Sequence, residues 1–307
     1  MTHPLPGAEP CCGFLNVLKP PGMTSSQVVG RVRWLLGGTK VGHAGTLDPE
    51  AAGVLPLMVG KAARLFDYLQ DKEKAYVAEV AFGTETDTQD AQGTVTAEGN
   101  AYPDEAAIRA ALPTLTGALL QTPPMFSALK RDGRRLYELA RRGEAVALEP
   151  RPVTVHALTF LGLMPRQGAR FEVRCSKGFY VRTLCQDLGR AVGCPAHMRF
   201  LLRTRSGPFT LEQAYTLEEL QAAAEGGTLT SCFAGMETAL THLPVLDVPP
   251  TLLKNLRNGI PLPVRVVPGA TTFAEGQPIQ LWGNGILLAI GSREGELLYQ
   301  RTWLEEA

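Results

Sequence analysis

Between Gly42 and Gly53 the chain reads GHAGTLDPEAAG, three glycines and a proline in twelve residues. Glycine reaches backbone conformations closed to other residues, and proline fixes its own φ. Such a stretch folds as a tight loop, and the regular elements must be built around it. Upstream, Thr24-Ser25-Ser26-Gln27 has the form of a capping box, with Val28, Val29, Val32, Leu35 and Leu36 at helical spacing and Gly37-Gly38 as the stop. Downstream, VLPLMV (54–59) predicts a buried strand, and Gly60 turns it into a helix over about 61–69. The loop is therefore expected between a helix and a strand, where rigid flanks commonly present chemistry. Asp48-Pro49 within it supports two readings. One is a helix N-cap followed by proline at the first helical position; the other is a carboxylate held out for reaction.

The rest of the chain supplies further elements. GFLNVLK (13–19) is a short apolar segment ended by Pro20-Pro21-Gly22, and YVAEVAF (76–82) alternates as a strand does. A polar turn, GTETDTQDAQG, leads to a short strand over 94–97, and 103–112 has helical spacing. Residues 122–152 are rich in basic side chains and poor in β-branched ones, as an extended surface insertion would be. Strands are expected near 153–163 and 170–175, a helix over about 180–192, and a connecting region over 211–240. From about Leu243, IQLW and GILLAIG mark a small, mostly β domain. At 307 residues, with roughly 150 residues per domain, two domains are expected. No apolar run approaches the roughly 18 residues of a spanning helix. The start, MTHPLPGAEPCCGF, lacks a basic segment followed by an apolar one, so a cytoplasmic location is expected. Cysteines at 11, 12, 175, 185, 194 and 232 show no CxxC spacing, which predicts reduced thiols and neither a zinc site nor a disulfide framework.

Five segments decide between the readings of Asp48. LNVLKPPGMTS (15–25), GHAGTLDPEAAGVLPL (42–57), KAYVAEVAFGTETDTQD (74–90), PPMFSALKRDGRRLYELARRGE (123–144) and CSKGFYVRTLCQDLG (175–189) occur in that order. Together they resemble the bacterial tRNA pseudouridine-55 synthase family, from about residue 13 to about residue 210, with a weaker echo beyond. Ala44, Glu50 and Ala52 depart from the family's usual Thr, Leu and Thr.

The resemblance implies an α+β catalytic domain on a mixed, largely antiparallel sheet (13–240), preceded by a tail (1–12). A small PUA-like RNA-binding domain (241–307) follows. It implies that Asp48 is the nucleophile that converts a uridine of the tRNA T loop to pseudouridine. Around it the family places Tyr76, stacking on the target base, with Tyr180, Leu201 and Arg182, the last paired with the nucleophile. His43 lies against the flipped-out nucleotide, and Lys19 and Pro20 support the catalytic loop. The insertion over about 123–152 grips RNA, with Lys130, Arg141 and Arg142 as backbone contacts. No cofactor or metal is implied, since the isomerisation gains and loses no atoms.

The formal net charge is +0, against the basic footprint usual for a nucleic-acid binder. Its distribution is uneven. Residues 126–152 carry seven basic side chains against four acidic ones, and residues 170–205 carry eight against two. Two such segments flanking one loop are expected to contact phosphates. A related guide-RNA-dependent synthase and a non-catalytic RNA-binding or RNA-folding protein on the same fold are the alternatives. A monomer is expected, since no long exposed apolar stripe is visible.

Overall fold

The computed structural model describes residues 12–69, 73–127, 130–131, 134–136, 142 and 148–304. The chain enters through β1 (Gly13–Lys19) and helix α1 (Ser25–Leu35). Thr24 caps α1 as its sequence requires: the Gln27 amide donates to the Thr24 hydroxyl, and the Thr24 amide donates to Gln27 Oε1 at 2.7 Å. Val28, Val32 and Leu35 then pack on the apolar residues of β1.

The short strand β2 (Val41–His43) pairs with β3 (Ala52–Val59), so the Gly-rich loop joins two strands and not a helix to a strand. No helix starts at Pro49. Residues 49–50 form a turn, the Ala51 amide donates to Asp48 O at 3.1 Å, and the chain runs directly into β3. The capping reading of Asp48 falls, because no first turn of helix follows whose amides it could serve. β3 is buried along its whole length. The helix expected over 61–69 is a 3₁₀ segment over Gly60–Tyr68. Only Ala62 and Leu65 turn inward, three residues apart, which is the repeat of a 3₁₀ helix.

Next come β4 (Lys74–Phe82), the hairpin of β5 (Thr84–Thr86) and β6 (Val95–Glu98), helix α2 (Glu105–Ala111) and β7 (Gly117–Gln121). In the insertion, β8 (Lys130–Arg131) pairs with β9 (Arg134–Arg135). Its described flanks are not all surface: Pro123, Pro124, Ser127 and Leu136 are buried. Two long strands follow, β10 (Arg151–Met164) and β11 (Gly168–Cys175), then α3 (Val181–Ala191) and β12 (Ala196–Ser206). The stretch read as a connection contains β13 (Phe209–Thr210), the capped helix α4 (Leu217–Glu225) and β14 (Phe233–Ala234), which pairs with β1.

Ten of these strands form one sheet in the order β14-β1-β3-β12-β4-β11-β10-β7, with β2 on β3 and β13 on β12, while β5–β6 and β8–β9 are separate hairpins. Its only parallel pairing among the described strands is β3 with β12, so the sheet is mixed and largely antiparallel. α3 lays Leu184, Cys185 and Leu188 on β4 and β11, beside Ala78, Phe171 and Val173. Each fully buried leucine there is worth about 1.5–3 kcal/mol.

The β3–β12 junction depends on one glycine. Gly53 has φ +111°, and a Cβ at this position would lie 2.2 Å from Arg203 O and 2.7 Å from Arg203 N. Gly53→Ala is expected to lower unfolding free energy by at least about 1–3 kcal/mol, the cost of the strained backbone alone. Urea unfolding checks this; wild-type stability would show that the junction can open without loss.

The C-terminal region has its own sheet: β15 (Val245–Asp247), β16 (Leu262–Pro263), β17 (Pro278–Gly283), β18 (Ile286–Glu294) and β19 (Leu297–Trp303). The strand order is β15-β17-β18-β19-β16. It is joined to the larger sheet by shared core: Leu287, Ile290 and Leu304 pack in one cluster with Phe14, Val54, Met58 and Leu65. Across the same seam, buried Gln280 donates to the carbonyls of Leu240 and Leu243. Among the described residues no helix is long and apolar enough to cross a membrane, and no disulfide joins Cys12, Cys175, Cys185, Cys194 and Cys232.

Candidate active site

The Gly-rich loop leads directly into β3, an inner strand of the sheet, and buried cations hold its backbone. Lys19, at the end of β1, has no exposed surface, and its ammonium donates to Pro20 O, Pro49 O and Ala51 O at 2.8, 2.8 and 2.6 Å. Removal from water lowers its pKa to about 8, against the opposing pull of Glu50 and Asp48. Arg203, in the centre of β12, is also fully buried. It donates to Val54 O, Thr46 O and Gly45 O at 2.7, 3.2 and 3.2 Å. Ser25 Oγ meets both the amide and the carbonyl of Leu47. Six loop or flanking carbonyls thus find donors in two side chains. Lys19→Met would leave three of them without their donor. An expected loss of about 2–4 kcal/mol follows from roughly 1–3 kcal/mol per orphaned group, offset by no longer burying a charge. Equilibrium unfolding measures it, and a change within experimental error would remove Lys19 as a loop support.

The loop held in this way presents Asp48. Its side chain is 39% exposed, whereas Arg182, from the first turn of α3, is 5% exposed. The two meet in a fork: Nε lies 3.1 Å from Oδ2, and Nη2 donates to Oδ1 at 3.4 Å. The remaining guanidinium donors go to Thr88 O at 3.1 Å and Phe126 O at 2.7 Å, with Asp90 Oδ2 3.6 Å from Nη1. Arg182 is therefore fixed in place by three separate segments of chain. Burial pushes the Asp48 carboxyl above the ordinary carboxylate range; Arg182 opposes this, Asp90 adds to it, and Lys19 and Arg203 oppose it more weakly.

Two aromatic hydroxyls lie within reach of that charge. Tyr76, on β4, is buried, and burial pushes its phenol up to about 12 although Arg203 hydrogen-bonds to it. Tyr180 is half-buried just before α3, where Gln121 binds it twice. Its amide donates to Gln121 Oε1 at 2.7 Å, and its carbonyl accepts from Gln121 Nε2 at 3.0 Å. Burial raises the Tyr180 phenol too. Leu201, on β12 opposite Ala78, joins Leu47, Ala51 and Tyr76 in one buried cluster.

The structure thus gathers Asp48, Arg182, Tyr76, Tyr180 and Leu201 around one spot, with Lys19 and Pro20 beneath the loop. His43 closes β2, half-buried and in register with Leu57. Arg142 is exposed in a turn; the side chains of Lys130 and Arg141 lie outside the described residues. The basic run over 170–205 offers phosphates fewer cations than its eight basic side chains suggest. Arg182 and Arg203 face inward to serve the loop, and Arg170, Arg174 and Arg190 sit beside Glu79, Glu73 and Glu85, so fewer cations remain for phosphates. Arg203, Gln121 and Asp90 were not singled out by the sequence reading. Arg203 had a signal: along β12 the two-residue period puts it on the same face as Leu201.

The model of the TruB family pseudouridylate synthase N-terminal domain matches residues 33–181, and that of the tRNA pseudouridylate synthase B C-terminal domain matches residues 182–241. The border between them falls at the start of α3, inside the ten-stranded sheet. The chain is similar to tRNA pseudouridine synthase B of Ruegeria pomeroyi, at 43% identity over 93% of both chains. It is also similar to that of Symbiobacterium thermophilum, at 54% identity over 68% of this chain and 71% of the other. Among solved structures, a chain from a Cbf5-Nop10-Gar1 complex superposes with a TM-score of 0.72 at 28% identity, covering 95% of this chain and 84% of that one. Two family models laid end to end, and relatives matched over nearly their whole length, decide the lineage: the chain belongs to the TruB family of pseudouridylate synthases.

Proposed function

We propose that the protein isomerises uridine to pseudouridine in transfer RNA, at the T-loop position, with Asp48 as nucleophile. The observation that carries this reading is the forked Asp48–Arg182 pair at the end of a rigidly held loop, flanked by Tyr76, Tyr180 and Leu201. The reaction breaks the N1–C1′ bond, turns the base and forms a C5–C1′ bond, so atoms are conserved and the chain's own groups suffice. A carboxylate partly shielded from water is a stronger nucleophile than a fully solvated one, provided it stays ionised. Arg182 supplies that condition with a charge that cannot be titrated away. The target must leave its stack to reach Asp48; Tyr76 and Leu201 then offer it an apolar, stacking surface, with His43 against the extruded nucleotide. Recognition rests on the folded loop of the RNA more than on base sequence.

The C-terminal sheet extends the RNA-binding surface, and the enzyme works as a cytoplasmic monomer. Incubation of the purified protein with an unmodified tRNA transcript, followed by chemical mapping of pseudouridine, tests the reading. Product at one T-loop uridine without any guide RNA supports it, and none under single-turnover conditions rejects it.

The insertion gives a second, separable expectation. Changing Lys130, Arg141 and Arg142 together to Ala should weaken tRNA binding and flatten its salt dependence, by up to about one unit of log–log slope for each phosphate no longer neutralised. The rate on saturated enzyme should stay near wild type. An unchanged slope would show that the insertion does not grip phosphates.

A further inference from the structure

One residue beside the site is held in a conformation its side chain does not favour. Gln89 has φ +63°, in the left-handed region, where a non-glycine residue is strained. Its backbone carbonyl accepts from Met198 N on β12 at 3.0 Å. Its side-chain amide is satisfied at both ends by α3: Thr183 Oγ1 donates to Oε1 at 2.9 Å, and Nε2 donates to Gln186 Oε1 at 2.8 Å. Gln186 is fixed in turn, donating to Glu85 Oε1 at 2.6 Å. The immediate neighbours of Gln89 are the two groups that meet the far side of the Arg182 guanidinium, Thr88 O and the Asp90 carboxylate.

We propose that Gln89 is a positioning residue: by tying the 88–90 turn to α3, it fixes the acceptors that hold Arg182 in its fork on Asp48. This rests on the reading of Asp48 as nucleophile. The geometry explains why the strain is tolerated. Arg182, Thr183 and Gln186 leave the same helix within two turns, so one side of α3 carries the cation and the neighbouring positions carry its alignment. If the turn relaxed, Thr88 O would leave Nη1, and Arg182 would keep its charge but lose its direction.

The charged and titratable groups around the fork are Asp48, Asp90, Lys19, Arg203, Tyr76 and Tyr180. Beyond Gln186 lie Glu85, Arg190 and Asp187. None of these is altered by substituting Gln89, so a shifted pH profile would report the placement of Arg182 and not a new charge.

The test compares Gln89→Gly and Gln89→Ala with the wild type, using single-turnover pseudouridine formation on an unmodified tRNA transcript across pH. Affinity for tRNA and melting temperature are measured alongside. Both variants lose the side-chain clamp, but only Ala keeps the strain, so Gly should melt higher than Ala. Both should nevertheless lose about 10- to 100-fold in rate, the usual consequence of misplacing a catalytic group by about an ångström. The acid limb should move to higher pH and affinity for tRNA should not change. Wild-type rates and pH profiles, or rates that simply follow melting temperature with Gly above Ala, would overturn the proposal. Asp48→Asn in the same assay separates the two claims. An inactive Asn variant beside fully active Gln89 variants removes only the role of Gln89, whereas an active one removes the nucleophile and this proposal with it.

Discussion

Replacing Asp48 with Asn is expected to leave a protein that folds and binds transfer RNA but forms no pseudouridine. Loss of a lone nucleophile in a well-studied hydrolase costs on the order of 10⁶-fold, which here would put the product below detection. The substitution is structurally mild for three reasons. No helix uses the Asp48 side chain as a cap. Arg182 keeps its carbonyl acceptors at Thr88 and Phe126 and its neighbour Asp90. The neutral amide also removes a carboxylate whose ionised form burial disfavours. Because the folded-state pKa of Asp48 is raised, its contribution to stability is greatest in acid and is lost as pH rises through that value. The Asn variant should therefore melt highest relative to wild type at neutral pH, and the difference should narrow in acid. Product at a rate within about 10³-fold of wild type, well above what a missing nucleophile allows, would remove Asp48 from the nucleophile role.

Arg182→Met should have the next largest effect, and one that depends on pH. The reaction requires ionised Asp48. Burial already raises its pKa in the presence of Arg182, so the wild-type single-turnover rate should fall on the acid side at a pH above the ordinary carboxylate range. Removing the guanidinium removes the largest opposing influence and leaves Asp90, which pushes the same way as burial. The acid limb must then shift to higher pH. At neutral pH the rate should fall by roughly 10²–10⁴-fold, the scale of losing an electrostatic stabiliser in a water-poor site, and should recover in part as pH rises. Lysine should rescue only partly, since it cannot reproduce two parallel bonds to one carboxylate together with bonds to Thr88 O and Phe126 O. Parallel pH profiles offset by a constant factor would show that Arg182 orients Asp48 without governing its ionisation.

Much of this site was legible in the sequence, and the illegible part has a common cause. The capping box at Thr24, the apolar β3 and the alternating β4 are local patterns, and the structure has them where the residues placed them. Asp48 and Arg182 came from segment resemblance, since no local rule links residues so far apart. Asp48-Pro49 carried a true helix-start pattern, but β3 takes up the chain immediately after the turn, so tertiary pairing overrode it. Arg203 looked like one more cation in a basic run because its three carbonyl partners lie about 150 residues earlier. Gln89 sat in a turn-rich polar stretch, and its strain appears only once φ is known.

The distance in sequence between the nucleophile loop and Arg203 also sets a schedule for the growing chain. The loop is synthesised early, yet the cation that binds its carbonyls comes 149 to 158 residues later. At about 5–20 residues per second, roughly 10–30 s separate the two on a translating ribosome. Through that interval the loop has glycines but not its second clamp, and β3 lacks its parallel neighbour. A nascent chain halted before β12 would carry every residue of the GTLDP segment without the donors of Arg203, so the loop's full set of clamps is complete only late in synthesis.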